Sequence, residues 1–151
     1  LLERLHWHLN NGSDSTRGWD IAVALDAITT GDARSPETRR AVEAMRDFAQ
    51  ERFGEFDVEH SCRICAAVAR ARVGTAPFFE AVARAFVSNP ASATPNDAAT
   101  VLWGFGYARH TDPKACDIAA KVMAPSLSHM KDAHLSNALW AFAQLARYDD
   151  E

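Results

Sequence analysis

Apolar and small residues recur along this chain at helical spacing, and the same arrangement returns four times. Within each copy they fall at positions i, i+4 and i+7, which places them on one face of an α-helix. The four registers are Ile21, Leu25 and Ile28; Ser61, Cys65 and Val68; Ala98, Leu102 and Phe105; and Leu135, Leu139 and Phe142. Their middle members lie 40, 37 and 37 positions apart (65 − 25, 102 − 65, 139 − 102). Each register therefore predicts the first helix of a repeated unit, with one buried edge.

A second helix is predicted after each of the first three. Pro36, Pro77 and Pro113 stand near the expected starts of these helices, where a residue without an N–H group costs no hydrogen bond. The residues expected to face inward on the second helices are Val42, Met45, Phe48, Phe79, Val82, Ala83, Phe86, Ile118, Ala119, Val122 and Met123. No segment of the sequence shows a pattern typical of a β-strand.

The pattern predicts an all-α fold, an α-solenoid of tandem helix-turn-helix repeats of about 37–40 residues. A non-repetitive helical bundle is the alternative architecture. We expect a segment of a longer chain, because the sequence opens with Leu1 inside an apolar-periodic stretch. The predicted units are residues 1–12, the end of a preceding repeat; repeats 13–56, 57–93 and 94–130; and residues 131–151, the first helix of a fourth repeat.

A Leu-Trp signature is duplicated near the C-terminus. Leu102-Trp103-Gly104-Phe105 returns as Leu139-Trp140-Ala141-Phe142. The signature resembles that of octotricopeptide repeats and is similar to the helical repeats that precede the RAP domain in FAST-kinase-like proteins. The resemblance is strong over residues 94–147, weaker over 57–93 and faint over 15–56. It implies an RNA-binding protein of a mitochondrion or chloroplast that acts in RNA stability, processing or translation.

A stripe of polar positions remains on each first helix once the buried edge is set aside. Helical-repeat RNA readers offer two or three such side chains to one base, and Tyr or Arg can also stack on a base. The stripe in the first unit is Asp20, Val23 and Thr30, of which Val23 is a poor reader. The predicted RNA-binding residues are His60, Arg63, Arg70, Arg72, Asp97, Thr100, Tyr107, His134, Asn137 and Gln144. The alternative is an ordinary solvated helix face.

Two basic segments differ in their acidic neighbours. Arg63, Arg70 and Arg72 have no nearby acid in our interpretation of the sequence, so we expect them to contact phosphates. Residues 34–52 carry Arg alternating with Glu and Asp, which predicts an exposed, salt-bridged helix.

Composition limits the function classes. The chain has 151 residues, enough for one domain with a core, and its net charge of −4 counts against a non-specific phosphate clamp. It leaves room for recognition by a few well-placed side chains. No apolar run approaches the roughly 18–20 residues that cross a bilayer, so we expect no membrane partner. Three cysteines, an odd number, favour a reducing compartment over a disulfide-stapled secreted module.

One string of residues could suggest a metal. His60, Cys62 and Cys65 have ligand chemistry, but they fall within one predicted helix and lack a fourth ligand at suitable spacing. The two cysteines also occupy small apolar positions of the repeat. Phosphate-cradling glycine loops, metalloprotease motifs and nucleophile elbows are absent from the sequence. We therefore expect no metal, no cofactor, no small-molecule substrate and no enzymatic activity.

Three functional hypotheses follow. The first is an RNA-binding protein of an organelle, the mitochondrion or alternatively the chloroplast, whose partner is mRNA or rRNA. A component of the mitochondrial ribosome is one form of this hypothesis. The second is a structural scaffold subunit that binds ribosomal or other ribonucleoprotein subunits in a large organellar assembly. The third is a catalytic domain joined to these repeats outside this sequence. Salt separates the first two, since phosphate contacts weaken with salt and apolar protein interfaces do not.

Overall fold

The structure is a computed structural model that describes residues 18–148, and this range contains seven α-helices and no β-strand. The helices are α1 Gly18–Thr30, α2 Pro36–Gln50, α3 Val58–Ala71, α4 Ala76–Ser88, α5 Pro95–Ala108, α6 Pro113–Met123 and α7 Asp132–Tyr148. Short 3-10 turns lie at Phe53–Glu55, Pro90–Ser92 and Ala124–His129. The predicted all-α class is confirmed. The predicted end of a preceding repeat, residues 1–12, lies outside the described residues.

The helices form two layers. The first layer contains α1, α3, α5 and α7, each packed against the next in that order, and the second contains α2, α4 and α6 in the same way. Each second-layer helix also packs on the first-layer helix that precedes it in sequence. Packing between neighbours along an array is the arrangement of an α-solenoid, which confirms the predicted architecture. None of the helices within residues 18–148 combines the length and the apolar character needed to span a bilayer.

The second-layer helices begin with a shared local device. A side-chain oxygen of Ser35, Thr75 or Asp112 accepts a backbone N–H from the first turn of α2, α4 or α6. A proline follows in the first turn of each helix, as the sequence predicted. A cap of this kind stabilises a helix by about 1 kcal/mol. The starts of these helices are therefore encoded locally.

Two first-layer helices end in the same unusual way. Arg72 after α3 and Arg109 after α5 both adopt the left-handed conformation, each with φ of 57°. The next residue in each case donates its N–H back into the last turn, from Val73 to Val68 and from His110 to Phe105. Glycine is the usual residue at such a position, because a Cβ there costs roughly 1 kcal/mol. Arg72 and Arg109 thus lie at equivalent ends of neighbouring first-layer helices, and they are 37 positions apart (109 − 72).

The predicted buried edge is present in three of the four registers. Leu25, Cys65 and Leu102 are almost completely buried in the core. Leu139, the equivalent residue on α7, is 63% exposed, so the prediction of a buried anchor there is wrong. The reason is that α7 is the last helix of the described range, and no second-layer helix in this range covers it.

Two glycines bring α5 close to both of its first-layer neighbours. A Cβ on Gly104 would lie 2.7 Å from Cys65 Sγ on α3. A Cβ on Gly106 would lie 3.1 Å from the Ala141 Cα on α7. The absence of side chains at these positions therefore sets the spacing of the first layer.

Candidate nucleic-acid interface

Arg63 on α3 is paired with an acid on the neighbouring first-layer helix. Its Nε and Nη2 donate to Asp26 Oδ2 of α1 at 2.9 and 2.6 Å, and Glu59 lies 3.5 Å from Nη1. The expectation that Arg63 has no acidic neighbour is therefore wrong. Asp26 lies 37 residues earlier in sequence, and only the stacking of the repeats brings it close. The pair joins α1 to α3, which gives Arg63 a structural role before any ligand is considered.

Arg70 on α3 connects three helices of the first layer. Its Nη1 donates to Thr29 Oγ1 on α1 at 2.7 Å, and that hydroxyl donates in turn to the Leu25 carbonyl. The guanidinium also lies 5.9 Å from the centroid of the Trp103 ring on α5, within cation–π range. Arg70 is thus held in place by the protein itself.

Asp97 lies in the first turn of α5 and completes the capping box whose N-cap residue is Thr94. Its Oδ2 accepts hydrogen bonds from the Thr94 backbone N–H at 2.9 Å and from the Thr94 hydroxyl at 2.6 Å. The Thr94 hydroxyl oxygen accepts the Asp97 N–H in return, which completes a capping box. Asp97 is 7% exposed, and its placement counts against the predicted role in contacting a base.

Two further stripe residues bond within or beside their own helices. His60 is half-buried, with Nδ1 3.6 Å from Asp57 Oδ2. The Thr100 hydroxyl donates to the Asn96 carbonyl at 2.7 Å and lies one turn from Trp103 on α5. Both residues are only partly exposed, and these contacts compete with any ligand for their polar atoms.

Tyr107 on α5 gathers aromatic and basic groups. Its ring stacks on Trp103 at a centroid distance of 5.1 Å, and the Arg72 guanidinium lies 5.5 Å from its centroid. The phenol oxygen accepts from Arg34 Nη2 at 3.0 Å and from Arg72 Nε at 3.4 Å. The hydrogen bond from Arg72 and then that from Arg34 lower the pKa of Tyr107. Sequence reasoning missed Arg34 here, because it is 73 residues away and belongs to the segment predicted to be salt-bridged.

A cleft of about 480 Å³ opens beside Tyr107, between the C-terminal ends of α3 and α5 and the middle of α7. It brings together three predicted residues, Arg72, Tyr107 and Gln144. The remaining lining residues are Ala69, Gly74, Phe79, Gly106, Ala108, Arg109 and Trp140. The lining contains two arginines and no carboxylate. The cleft is therefore suited to an anionic ligand with an aromatic part.

Sequence reasoning missed Trp140 and Arg109 as residues of this cleft. Trp140 is 40% exposed. The available signals were the spacing of Arg72 and Arg109, which equals the repeat length, and the position of Trp140 between Asn137 and Gln144 on one helix face. Asn137 is exposed on α7, one turn before Trp140.

The remaining candidates lie away from the cleft or inside the core. His134 is half-buried near the start of α7 and does not line the cleft. Cys62 and Cys65 are fully buried, and burial raises the pKa of both thiols, which keeps them neutral. Among the residues that the structure describes, there is no group of three His, Cys, Asp or Glu side chains that could hold a metal ion.

The model of one protein family matches most of this chain. The family is described as RNA-editing substrate-binding complex 6 protein, and the match covers residues 36–150. Comparisons with curated proteins and with solved structures gave no significant match. The match supports an RNA-related role, and it does not confirm the octotricopeptide repeat family that the Leu-Trp signature resembles. Because it spans more than half of the sequence, the chain belongs to the family of the RNA-editing substrate-binding complex 6 protein.

Proposed function

We propose that this chain is an RNA-binding helical-repeat subunit of a mitochondrial RNA-editing substrate-binding assembly, and that it acts by binding rather than by catalysis. The observation that carries the proposal is the contact of Trp103, Tyr107 and Arg72 at the surface of the first layer. The family supports the class of ligand, since its name refers to the binding of RNA-editing substrates.

The chemistry of this surface favours unpaired RNA. Bases that are not in a duplex can stack on aromatic rings and on arginine planes, and each stacked base contributes about 1–3 kcal/mol. A duplex hides these faces. With a net charge of −4, the chain is not suited to binding a duplex through many phosphates. We therefore expect a preference for single-stranded RNA with few phosphate contacts.

A salt titration tests the proposal. Fluorescence anisotropy with a labelled single-stranded RNA and with the duplex of the same sequence should show tighter binding of the single strand. Three arginines, Arg34, Arg72 and Arg109, lie at or beside the cleft. One phosphate contact from each predicts a slope of log K against log salt of about −2, at roughly −0.7 per contact.

A second-layer variant controls for charge in this experiment. Arg40 is exposed on α2, on the opposite layer, and Arg40→Ala removes the same charge from the chain as Arg72→Ala does. We expect Arg72→Ala to weaken binding and Arg40→Ala to leave it unchanged. Equal binding of duplex and single strand, or equal effects of the two variants, would contradict the proposal.

A scaffold function is the second candidate, and one observation favours it. Leu139 is 63% exposed and stands beside the partly exposed Trp140 on α7. An exposed apolar pair of this kind is suited to packing against another protein surface. If Leu139→Ser releases other subunits of the assembly while RNA affinity stays unchanged, this end of the solenoid binds protein. Membership of the octotricopeptide repeat family and a place in the mitochondrial ribosome remain predictions, and no observation favours the chloroplast.

A further inference from the structure

We infer that the cleft between α3, α5 and α7 binds one unpaired nucleotide, with the base on Trp140, the base edge at Gln144 and the phosphate at Arg72. The inference rests on the proposed function and assigns it a position. The volume of about 480 Å³ lies within the range of roughly 300–1,000 Å³ that small-ligand sites occupy. The site is therefore large enough for a single nucleotide.

The preceding repeat shows what packs on a tryptophan in this register. Trp103 and Trp140 are 37 positions apart, and the Arg70 guanidinium lies 5.9 Å from the ring of Trp103. Tyr107 is the residue 37 positions after Arg70, so no arginine occupies the equivalent place in the next repeat. Arg70 thus packs on the first tryptophan, whereas the equivalent position before Trp140 holds Tyr107, which stacks on Trp103 of its own helix and lines the cleft. A nucleobase is also planar and stacks on indole.

Trp140 is fixed at one side and open at the other. Its Cζ3 atom lies close to α5, only 3.3 Å from the position that a Cβ on Gly106 would take. The side chain nevertheless remains 40% exposed. An aromatic ring that is anchored by packing loses little entropy when a base stacks on it.

The polar groups of the cleft suit a nucleotide. Arg72 uses Nε for its hydrogen bond to the Tyr107 hydroxyl, and its guanidinium has four further N–H donors for a phosphate. Gln144 offers both a donor and an acceptor to a base edge from α7. No carboxylate in the lining opposes the phosphate.

Photocrosslinking with the full chain tests the assignment. The probe is a short single-stranded RNA that contains 4-thiouridine, and the crosslinked peptides are identified by mass spectrometry. We expect crosslinks in the peptides that contain Tyr107 and Trp140. Trp140→Leu should remove most of them and weaken RNA binding by about 5- to 150-fold, the equivalent of one lost stacking contact. Trp19, which is 54% exposed on α1, supplies the control, and Trp19→Leu should change neither measurement.

A second variant separates binding from folding. Arg72 has φ of 57°, so Arg72→Gly suits the backbone better and should retain or raise stability. It should nevertheless weaken RNA binding and make the salt slope shallower by about 0.7.

If the chain binds RNA but crosslinks elsewhere, and Trp140→Leu binds like wild type, the cleft is not the site while the proposed function stands. If Trp140→Leu keeps its RNA affinity and loses another subunit, the cleft belongs to a protein. If wild type binds no RNA, both proposals fail.

Discussion

The two ends of the first layer use the same register positions differently. Between α1 and α3, the Asp26–Arg63 ion pair and the Thr29–Arg70 hydrogen bond connect polar side chains across the interface. Between α5 and α7, backbone and small side chains meet at Gly106, and a cleft remains beside them. A polar stripe on a helical repeat can thus join neighbouring repeats at one end and leave room for a ligand at the other.

The difference follows from one residue in each repeat. The position of the signature Trp is Asp26 in the first unit, Ala66 in the second, and Trp103 and Trp140 in the later two. An aspartate there pairs with the arginine of the next helix, as Asp26 does with Arg63. A tryptophan instead presents a face on which a planar group can stack. The side chain at this position therefore changes from ionic to aromatic along the array.

The packing of α5 provides the largest stability test of this comparison. We expect Gly104→Ala to destabilise the protein by up to about 2 kcal/mol. Overpacking costs about 1–3 kcal/mol, and the higher helix propensity of Ala offsets about 1 kcal/mol. The cause is Cys65 Sγ, 2.7 Å from the new Cβ, on an α3 that is buried and ion-paired to α1. Urea denaturation measures the change.

Two further variants make this test specific. Cys65→Ala removes the clashing sulfur, so the double variant should lose less stability than the sum of the single variants. Gly106→Ala faces α7, which no second-layer helix in the described range covers, and α7 can shift by the few tenths of an ångström required. We expect it to be close to neutral. A larger loss from Gly106→Ala than from Gly104→Ala would contradict the view that α3 is the more firmly held neighbour.

The Asp26–Arg63 pair gives a smaller effect. Both side chains are partly exposed, so a double-mutant cycle with Asp26→Ala and Arg63→Ala should give a coupling energy of about 0.2–1 kcal/mol. Asp26→Ala leaves Arg63 with Glu59 as its acidic partner and frees the rest of the guanidinium for a phosphate, which predicts slightly tighter RNA binding and a salt slope steeper by up to about 0.7. Asp20→Ala, on the exposed side of the same helix, is a control for the loss of a carboxylate. Unchanged RNA binding by Asp26→Ala would show that Arg63 is remote from the RNA.

Local features of the fold could be predicted from the sequence. Pro36, Pro77 and Pro113 marked the second-layer helices, and the apolar registers identified the first-layer helices. The capping role of Asp97 was also readable, since Thr94-Pro-Asn-Asp97 has the capping-box spacing, but the stripe pattern led to a different interpretation. Signals within one helix were therefore sufficient to predict the positions of the helices.

Features that depend on two helices could not be predicted in this way. The repeat spacing places Asp26 and Arg63 on adjacent helices, but it does not indicate that a long side chain will reach across. The exposure of Leu139 depends on which elements pack over α7, and the spacing of apolar residues within α7 gives no information about them. The left-handed ends at Arg72 and Arg109 lack the glycine that usually marks them. The candidate site combines these features, so the sequence indicated only some of its residues.

The pH dependence of stability that His110 produces is the smallest of these effects, and it arises beside the cleft. The His110 ring stacks on Phe79 at 5.5 Å, its Nε2 is buried without a partner among residues 18–148, and burial lowers its pKa despite Asp112 and Glu80. The unfolded chain therefore takes up a proton more readily than the folded chain. Stability should fall as the pH drops below about 6.5, the ordinary pKa of histidine.

We expect the urea midpoint of wild type to fall more between about pH 7.5 and pH 5 than that of His110→Phe, which keeps an aromatic ring and cannot be protonated. His129→Gln, at an exposed site, should behave like wild type, and equal falls in wild type and His110→Phe would show that another group titrates.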